Sequence, residues 1–397
     1  MKKFIAFLLT AVMLFSFWGC DGSFSEYSLT SDGKFSFDSD YNATSSKSYN
    51  EYSSPLDLSS RNSAHNYSSQ GFVGTPTLYS LNELKDYLNS QKNKDIFKIP
   101  FYYKGSENLE PQMLAQMTNA FYINYTYQGD FYEVEITEYP GEHIADAYLK
   151  NDKSSLTADE KKAMDKAVQM VNTAKQNAET EWELELLLHD MIADRVTYYD
   201  NTRDFDDPAK APRYLSIIGA LLDGKANCQG YTDAFYTLAT MAGFTVSRMS
   251  VETKDDLHGV NTILLDGSWY VVDVTFDDQD NGNPTVYYLF NAGLDQIKEI
   301  FWKPWKEVNK ISATSTKHYY YKHTNTLFND IPSLAQYAAN QWLNSQSTVR
   351  GAVKNQSNVK AIEKELSKVL DKSGRAYNYT YWCYNDTKDL YYTIEFK

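Results

Sequence analysis

The stretch that most limits what this chain can fold into is residues 224–278, because it specifies a helix and then a hairpin. After Cys228, apolar residues recur at the three- and four-residue spacing of a helix that buries one face, and Gly243 is a natural stop. Two strand-like runs then flank Asp266-Gly267, a strong signal for a two-residue turn. The sequence therefore predicts a buried helix followed by an antiparallel hairpin.

Cys228 is expected in the first turn of this helix. Unpaired backbone N–H groups and the positive end of the helix dipole favour a thiolate there. A thiolate is the form of cysteine that attacks an acyl carbon, and the same N–H groups can hold the oxyanion that results. Cys228 is therefore a candidate nucleophile, although a lone cysteine on a buried helix is more often a small core residue.

The hairpin sets the positions of His258 and Asp273. Its strands are predicted at residues 259–265 and 268–276, and closure at the turn places Val260 opposite Asp273. His258 and Asp273 are then diagonal neighbours on one face, at roughly 7–8 Å between backbones, and a one-residue slip would separate them. In this register the aspartate orients the imidazole, which takes the cysteine proton as in a catalytic triad.

At these residues the sequence resembles the transglutaminase-like superfamily of Cys-His-Asp proteins. The resemblance rests on NCQGYTDAFYTLATMAGF, LHGVNTILLDGSWY and VVDVTFDD, and it extends to HDMIADRVTYYDN, RYLSIIGALLDGKA and YYLFNAGLD. It implies an α+β, papain-like central domain in which the cysteine helix packs on an antiparallel sheet carrying the histidine and the aspartate. It also implies that Cys228 is the nucleophile, His258 the general base and Asp273 its orienting partner.

The triad and the resemblance together favour thiol-dependent acyl transfer on an amide or peptide bond. Bacterial members of the superfamily are more often suspected hydrolases than cross-linkers, so the resemblance implies a cysteine peptidase or amidase ahead of a transglutaminase. The alternative is a catalytically inactive surface binding lipoprotein whose duplicated flanking modules hold a partner. No cofactor is implied, and the six histidines show no metal-ligand spacing with cysteine or acid.

Two tetrapeptides, LNSQ and NYTY, each occur twice at nearly the same spacing, and an alternating strand-like run follows each pair. This pattern predicts two copies of a small α/β module with the order helix–strand–helix–strand–strand, at residues 76–150 and 315–397. They would flank the transglutaminase-like domain at residues 151–314. Cys383 falls in the last hairpin of the second copy and is expected to be structural or incidental.

Two helices are predicted at the start of the central domain. Thr157 and Glu160 have the spacing of a capping box, which indicates where the first helix begins. The second helix, at residues 181–192, carries His189. In the superfamily this helix packs beside the cysteine helix, so His189 is expected to be scaffold rather than a second base.

The first 20 residues have the layout of a secretory signal, with a basic head and an apolar run too short for a normal membrane span. Gly19-Cys20 at its end resembles the lipobox of bacterial lipoproteins, which implies cleavage before Cys20 and a lipid on its sulfur. An ordinary signal or an uncleaved anchor are the alternatives, and all three place the rest outside the cytoplasm. The lipid anchor, which is favoured, places it at the membrane of the cell envelope. Residues 21–75 are rich in Ser, Asn and Asp and are expected to form a disordered tether.

The net charge of −14 argues against nucleic acid as a partner and against electrostatic docking on an anionic membrane. The expected partners are a protein or peptide substrate, possibly of the cell envelope, and the membrane through the lipid anchor. Cys228 and Cys383 are expected to be free thiols, because a disulfide between them would silence the proposed nucleophile.

Overall fold

Helices and sheets alternate along the 397-residue chain, whose structure is a computed structural model. The described residues are 8–9, 24–30, 35–36, 74–91, 98–109, 111–118, 120–201, 210–252, 257–279, 282–298, 303–304, 313–385 and 387–397. Among them, no helix has both the length and the apolar character that crossing a bilayer requires. The predicted lipidation site, Cys20, and most of the predicted signal and tether lie outside the described residues.

Three segments before residue 74 form strands. They are β1 (Leu8–Leu9), β2 (Phe24–Thr30) and β3 (Phe35–Ser36). Strand β2 lies in the segment expected to be a tether, and it pairs antiparallel with a strand near the C-terminus, as described below. An exposed sheet edge offers unpaired backbone groups to any extended segment, so a polar composition does not prevent such pairing.

The N-terminal module is a mixed sheet with two helices packed against it. Its elements are β4 (Thr77–Leu78), α1 (Leu81–Gln91), β5 (Ile99–Tyr103), α2 (Pro111–Thr118), β6 (Ala120–Gln128) and β7 (Phe131–Glu138). The strand order is β1-β6-β7-β5-β4, and only the β4–β5 pair is parallel. Leu84, Phe101 and Leu114 are fully buried and form the centre of its own hydrophobic core.

The central part places a buried helix against an antiparallel sheet. Its helices are α3 (Pro140–Lys150), α4 (Ala158–Asn177), α5 (Glu181–Ala193), α6 (Ala211–Tyr214), a π-helix (Gly219–Asp223), α7 (Cys228–Ala242), α8 (Val274–Asp277) and α9 (Leu294–Ile297). Its strands are the parallel pair β8 (Thr197–Tyr198) and β9 (Lys225–Ala226), and the sheet strands β10 (Thr245–Glu252), β11 (Leu257–Leu265), β12 (Ser268–Val272), β13 (Phe290–Ala292) and β14 (Lys303–Pro304). The sheet order is β13-β12-β11-β10-β14.

The C-terminal module follows a short helix. The elements are α10 (Tyr320–His323), β15 (Leu327–Phe328), α11 (Ile331–Leu343), β16 (Thr348–Val353), α12 (Ala361–Leu370), a 3₁₀ turn (Asp371–Ser373), β17 (Asn378–Tyr384) and β18 (Leu390–Phe396). The sheet order is β15-β16-β18-β17-β2-β3, with only β15–β16 parallel. The order β15-β16-β18-β17 repeats β4-β5-β7-β6, so the two modules share one topology, each beginning with a short parallel strand that the sequence pattern did not show.

Helix α3 lies in the stretch assigned to the first module, yet it packs on the central helices. Its buried residues Ile144 and Ala147 belong to the central hydrophobic core, together with Phe235 and Leu238 of α7. The capping box predicted for α4 is confirmed, with Thr157 and Glu160 bonded reciprocally.

Helix α7 begins and ends where the sequence predicts, with Cys228 first and Gly243 beyond its end at a φ of +108°. The prediction that it buries a single face was too narrow, because Gln229, Asp233 and Thr237 on other faces are buried as well. Helices α3, α4 and α5 and strands β10 and β11 all contact it. The surrounding elements therefore cover most of α7, and only Tyr236, Thr240 and Ala242 are partly exposed.

The hairpin register is confirmed from Leu265, opposite Ser268, back to Asn261, opposite Val272. The predicted extension of the second strand to residue 276 is wrong. Strand β12 ends at Val272, and Asp273 caps α8 instead of lying opposite Val260. Because Asp273 accepts a hydrogen bond from the backbone three residues later, the capped turn competes with the strand and wins.

Aromatic stacking joins the C-terminal module to the central part. The rings of Tyr288 and Tyr384 stack with centroids 4.3 Å apart, and Tyr391 lies 5.6 Å from Tyr288. Tyr384 and Tyr391 belong to the central hydrophobic core although they come from β17 and β18. Stacked tyrosines bury a large area at low conformational cost, which makes this contact a substantial interface.

A buried ion pair ties α7 to its neighbours. Arg248 of β10 donates to the Asp233 carboxylate on α7 and, at 3.0 Å, to Glu142 of α3. Its guanidinium lies between two aromatic rings, 3.6 Å from the centroid of Tyr236 and 4.1 Å from that of Tyr139.

The Asp233 carboxylate also accepts backbone hydrogen bonds, from the N–H of Ile217 at 2.9 Å and of Gly141 at 3.1 Å. A Cβ at Gly141 would lie 2.4 Å from an Asp233 oxygen, so the close approach of α3 requires glycine there. Asp233 thus connects three segments that are distant in sequence.

We expect Arg248→Met to lower the free energy of unfolding by about 3–5 kcal/mol, because it leaves Asp233 buried without its counter-ion. Urea unfolding of the protein followed by circular dichroism measures the change. The matched control is Asp146→Asn, which breaks an exposed pair with Lys150 and should change stability by less than about 1 kcal/mol. Equal effects of the two substitutions would contradict this role for Arg248.

Candidate functional site

Cys228 lies at the first position of α7, and the preceding residues fix it there. The side-chain oxygen of Asn227 accepts a hydrogen bond from the N–H of Gly230 at 3.1 Å, which is an N-cap. Among the described residues, the N–H of Cys228 makes no hydrogen bond. The cysteine therefore has the position at a helix N-terminus that the sequence predicts.

His258 of β11 and Asp273 form a short hydrogen bond of 2.7 Å between Nε2 and Oδ2. The second carboxylate oxygen of Asp273 accepts from the N–H of Phe276 at 3.1 Å. Both side chains are buried, with 4% of His258 and 1% of Asp273 exposed. Asp273 is thus held by a backbone bond on one oxygen and holds the imidazole with the other.

The structure brings Cys228 to the same imidazole. Burial lowers the pKa of His258, but the charge and hydrogen bond of Asp273 and a hydrogen bond with Cys228 outweigh burial and raise the pKa to about 10. Because Asp273 occupies Nε2, the ring atom that faces the thiol is Nδ1. All three residues singled out in the sequence therefore lie in one connected group.

A glycine lets the strand approach the helix at this point. A Cβ on Gly259 would lie 3.0 Å from the Thr232 hydroxyl and 3.7 Å from the carbonyl oxygen of Cys228. A side chain at this position would require the Thr232 hydroxyl to shift by a few tenths of an ångström. Gly259 therefore allows β11 to pack closely on the start of α7.

Phe276 forms a wall of the site that the sequence pattern did not indicate. Its ring meets the His258 imidazole edge to face, with centroids 4.6 Å apart and an interplanar angle of 89°. As a strand residue it would point elsewhere, and only the turn of α8 brings it over the ring. The N-cap preference of Asp273 was the one signal in the sequence for that turn.

Tyr139 is a second residue near the thiol that sequence reasoning did not single out. Its hydroxyl accepts a hydrogen bond from Nε2 of Gln229 at 3.0 Å. Burial raises the pKa of Tyr139 to about 12; Arg248 opposes this rise, and Cys228 contributes a smaller increase. Since Tyr139 precedes α3, no local pattern connects it with Cys228.

A buried histidine braces the short helix that follows Asp273. His189 of α5 contacts Asp277 at 3.2 Å through Nε2 and Asp190 at 3.0 Å through Nδ1. The other oxygen of Asp277 accepts from the N–H of Leu289 at 2.9 Å. His189 therefore fixes the last residue of α8, whose first turn presents Asp273 and Phe276 to His258.

Two further expectations concerned the state of the cysteines and the binding of a metal ion. Cys228 and Cys383 are both buried free thiols. Burial raises the pKa of Cys383 to about 12, so it is an inert partner for comparison with Cys228. Among the residues that the structure describes, no group of three His, Cys, Asp or Glu side chains is arranged to hold a metal ion.

No family model matches the sequence, and no curated protein matches it. Among solved structures, the chain is similar to one described as a crystal structure of a TGase, with a TM-score of 0.28 and 12% identity. The match covers 53% of this chain and 60% of that one, which is less than two thirds of its length. The likeness is therefore a weak one.

The His189 contacts predict a pH-dependent stability. Burial lowers the pKa of His189, but Asp190 and Asp277 outweigh it and raise the pKa to about 10 from 6.5. A histidine with a raised folded pKa stabilises fully below its unfolded pKa, and this contribution is lost as the pH rises from about 6.5 through 10. We expect His189→Asn to lower the free energy of unfolding by about 3–5 kcal/mol at pH 6 and to flatten this decline.

Urea unfolding at pH 6, 8 and 10 measures the profile. His143→Asn is the control, since the pKa of His143 is also raised to about 10, by Glu138 and Glu160, but its side chain is partly exposed. Its removal should change the slope less. Parallel profiles for the native protein and His189→Asn would show that His189 does not act as a charged brace.

Proposed function

We propose that this protein performs thiol-dependent acyl transfer on an amide or peptide bond, with hydrolysis as its main outcome. The observation that supports this proposal is the hydrogen-bonded run from Asp273 through His258 to Cys228, with the cysteine at a helix N-terminus. The proposed substrate is a protein or peptide, and no cofactor takes part.

The raised pKa of His258 keeps the thiol proton on Nδ1 of His258, so the thiolate of Cys228 attacks the carbonyl carbon in the first step. A carbon–sulfur bond forms and the carbonyl electrons move to oxygen. When the carbonyl re-forms, the carbon–nitrogen bond breaks, and the imidazolium gives its proton to the leaving amine. The product of this half-reaction is a thioester on Cys228.

In the second step, neutral His258 takes a proton from water, whose oxygen attacks the thioester. The carbon–sulfur bond breaks, a carboxylic acid is released, and the pair of Cys228 thiolate and His258 imidazolium is restored. If a lysine amine replaces water, the product is an isopeptide cross-link. Asp273 stays ionised throughout and keeps the Nε2–H bond that orients the ring.

We propose two donors for the oxyanion. The N–H of Cys228 is at the helix N-terminus, and the Tyr139 hydroxyl lies near enough to interact with the Cys228 charge. Preorganised donors at the site of developing charge are a large contribution to acyl transfer. We assign this role to both groups.

Access to the thiol supports hydrolysis over cross-linking. Only 2% of Cys228 is exposed. Water, as the smallest acyl acceptor, reaches a covered thioester more readily than the lysine of a second protein does. The acyl-enzyme is therefore proposed to react with water.

The same burial favours the second candidate, a catalytically inactive binding lipoprotein. Its flanking modules share one topology and would hold the partner, and the central part would be a scaffold. The two proposals differ in one result, because only catalysis requires the sulfur of Cys228.

The test begins with alkylation of both thiols by iodoacetamide from pH 5 to 9, read by peptide mass spectrometry. We expect Cys228 to react at least ten times faster than Cys383, since the His258 imidazolium stabilises a thiolate at Cys228 and burial disfavours one at Cys383. His258→Ala and Asp273→Asn should remove this difference. Equal reactivity of the two cysteines at every pH, or no reaction of Cys228 in the folded protein, would speak against the triad.

Substrate turnover is then measured on a library of peptides and glutamine amides, with and without an added primary amine. Acid products in both conditions support hydrolysis, and amine adducts support cross-linking. Cys228→Ala should abolish either activity, whereas Cys383→Ala should leave it intact. Full partner binding by Cys228→Ala, with no turnover by the native protein, would favour the inactive candidate.

We also propose that the protein is anchored outside the cytoplasm by a lipid on Cys20. The basis is the sequence of the first 20 residues alone, which fall largely outside the described residues. Cys20→Ala should move the protein from the membrane to the soluble fraction of a bacterial host, while Cys383→Ala should stay in the membrane fraction. An unchanged distribution of Cys20→Ala would rule out this anchor.

A further inference from the structure

A polar cavity of about 210 Å³ opens at the start of the C-terminal module. Strand β16 contributes Thr348 and Arg350, which lie on one face of the strand because side chains alternate. Helix α11 contributes Tyr337 and Gln341, and α10 contributes Tyr320. The cavity is therefore built by elements of the C-terminal module and the helix before it, and not by the triad residues.

Arg350 is the one charged residue in the lining of this cavity. Within the part of the chain that the structure describes, its side chain makes no hydrogen bond and no ion pair, and its Nε is buried without a partner. Its guanidinium lies 5.5 Å from the centre of the Tyr287 ring. A guanidinium carries five N–H donors, and leaving such donors unsatisfied is costly when they are buried.

The carboxylates of Asp190 and Asp194 act on Arg350 electrostatically, but within the described part of the chain neither forms an ion pair with it. Asp190 contributes to the electrostatics of Arg350, yet its oxygens contact Nδ1 of His189 at 3.0 Å and accept from the Tyr287 hydroxyl at 3.1 Å. No residue in the lining is acidic. An arginine without a bonded counter-ion therefore faces a cavity that lacks negative charge.

The charge and size of the cavity indicate the class of ligand. A single arginine, with no lysine beside it, matches one negative charge, and its planar fork fits a carboxylate through two parallel hydrogen bonds. About 10–15 Å³ of cavity volume measured in this way holds one water, so the cavity has room for at least one amino-acid residue. It is smaller than the roughly 300–1,000 Å³ of drug-sized pockets.

The other polar side chains of the lining match a peptide amide next to the carboxylate of the ligand. The side chains of Gln341, Gln346 and Thr348 line the cavity and make no hydrogen bond with the described residues. A glutamine amide both donates and accepts, which is what a peptide N–H and C=O require. The rings of Tyr320 and Tyr337 offer apolar surface to a side chain.

From these contacts we propose that this cavity binds the C-terminal residue of a peptide, with its carboxylate on the guanidinium of Arg350 and its last amide on the glutamines. The site is independent of acyl transfer at Cys228. It would bind the same ligand in a protein with no catalytic activity.

The test is isothermal titration calorimetry of the native protein with N-acetylalanine, which mimics a peptide C-terminus. Three compounds are controls. N-Acetylalaninamide has the same shape without the charge. Glucuronate carries its carboxylate on a sugar instead of a peptide, and inorganic phosphate is a different anion. We expect N-acetylalanine to bind and N-acetylalaninamide to bind at least tenfold more weakly. Equal binding of the two, or tighter binding of glucuronate or phosphate, would overturn the assignment.

Variants locate the site. Arg350→Gln should weaken N-acetylalanine binding at least tenfold, and Arg350→Lys should restore only part of it because the fork is lost. Arg375→Gln, at an exposed arginine of the same module, should have no effect. Gln341→Leu keeps the arginine and should also weaken binding. This second variant tests the site even if Arg350→Gln fails to fold. Thermal melting of both variants checks their folding.

Binding is repeated with Cys228→Ala, so that failure of this proposal and failure of the triad are separate results. We expect Cys228→Ala to bind N-acetylalanine with unchanged affinity. Unchanged affinity in Arg350→Gln and Gln341→Leu, or no heat with N-acetylalanine at millimolar concentration, would refute the cavity as a peptide C-terminus site.

Discussion

The carboxylate of Asp273 is the point at which the backbone fold and the site depend on each other. One oxygen caps α8 through the N–H of Phe276, and the other holds Nε2 of His258 at 2.7 Å. The cap ends β12 and turns the chain, and this turn places Phe276 against the imidazole. A single side chain therefore fixes the end of a strand, the orientation of the histidine and one wall of the site.

Around this centre, buried polar groups hold the elements that carry the site. His189 fixes the far end of α8 through Asp277, and the Arg248–Asp233 pair fixes α7 against α3 and β10. Buried charges are costly unless paired, so each of these groups is stable only when the elements meet in one arrangement. Stability and the position of the thiol are thus tied together, because the same contacts determine both.

The flanking modules show how a shared topology can serve different contacts. Both have the order strand–helix–strand–helix–hairpin, with the first two strands parallel. Only the C-terminal sheet presents Tyr384 and Tyr391 to the central core. The internal duplication stays a prediction from the repeated tetrapeptides. Strand β2 adds a further difference, because it extends the C-terminal sheet with a segment expected to be tether.

The sequence alone determined those features that depend on residues close to one another in the chain. The period after Cys228 and the stop at Gly243 predicted α7, and the turn at Asp266-Gly267 predicted the hairpin register as far as Val272. It also selected Cys228, His258 and Asp273, since local spacing and the superfamily resemblance both point to them.

The tertiary structure decided what depends on distant contacts. Tyr139 approaches the thiol, Arg248 reaches Asp233 and Arg350 lines a cavity only because separate elements pack together. The end of β12 also depends on such a contact, because Asp273 gains one hydrogen bond by capping α8 and a second one from His258. Periodicity reports which face of an element is buried, but it carries no information about which residue of another element lies opposite.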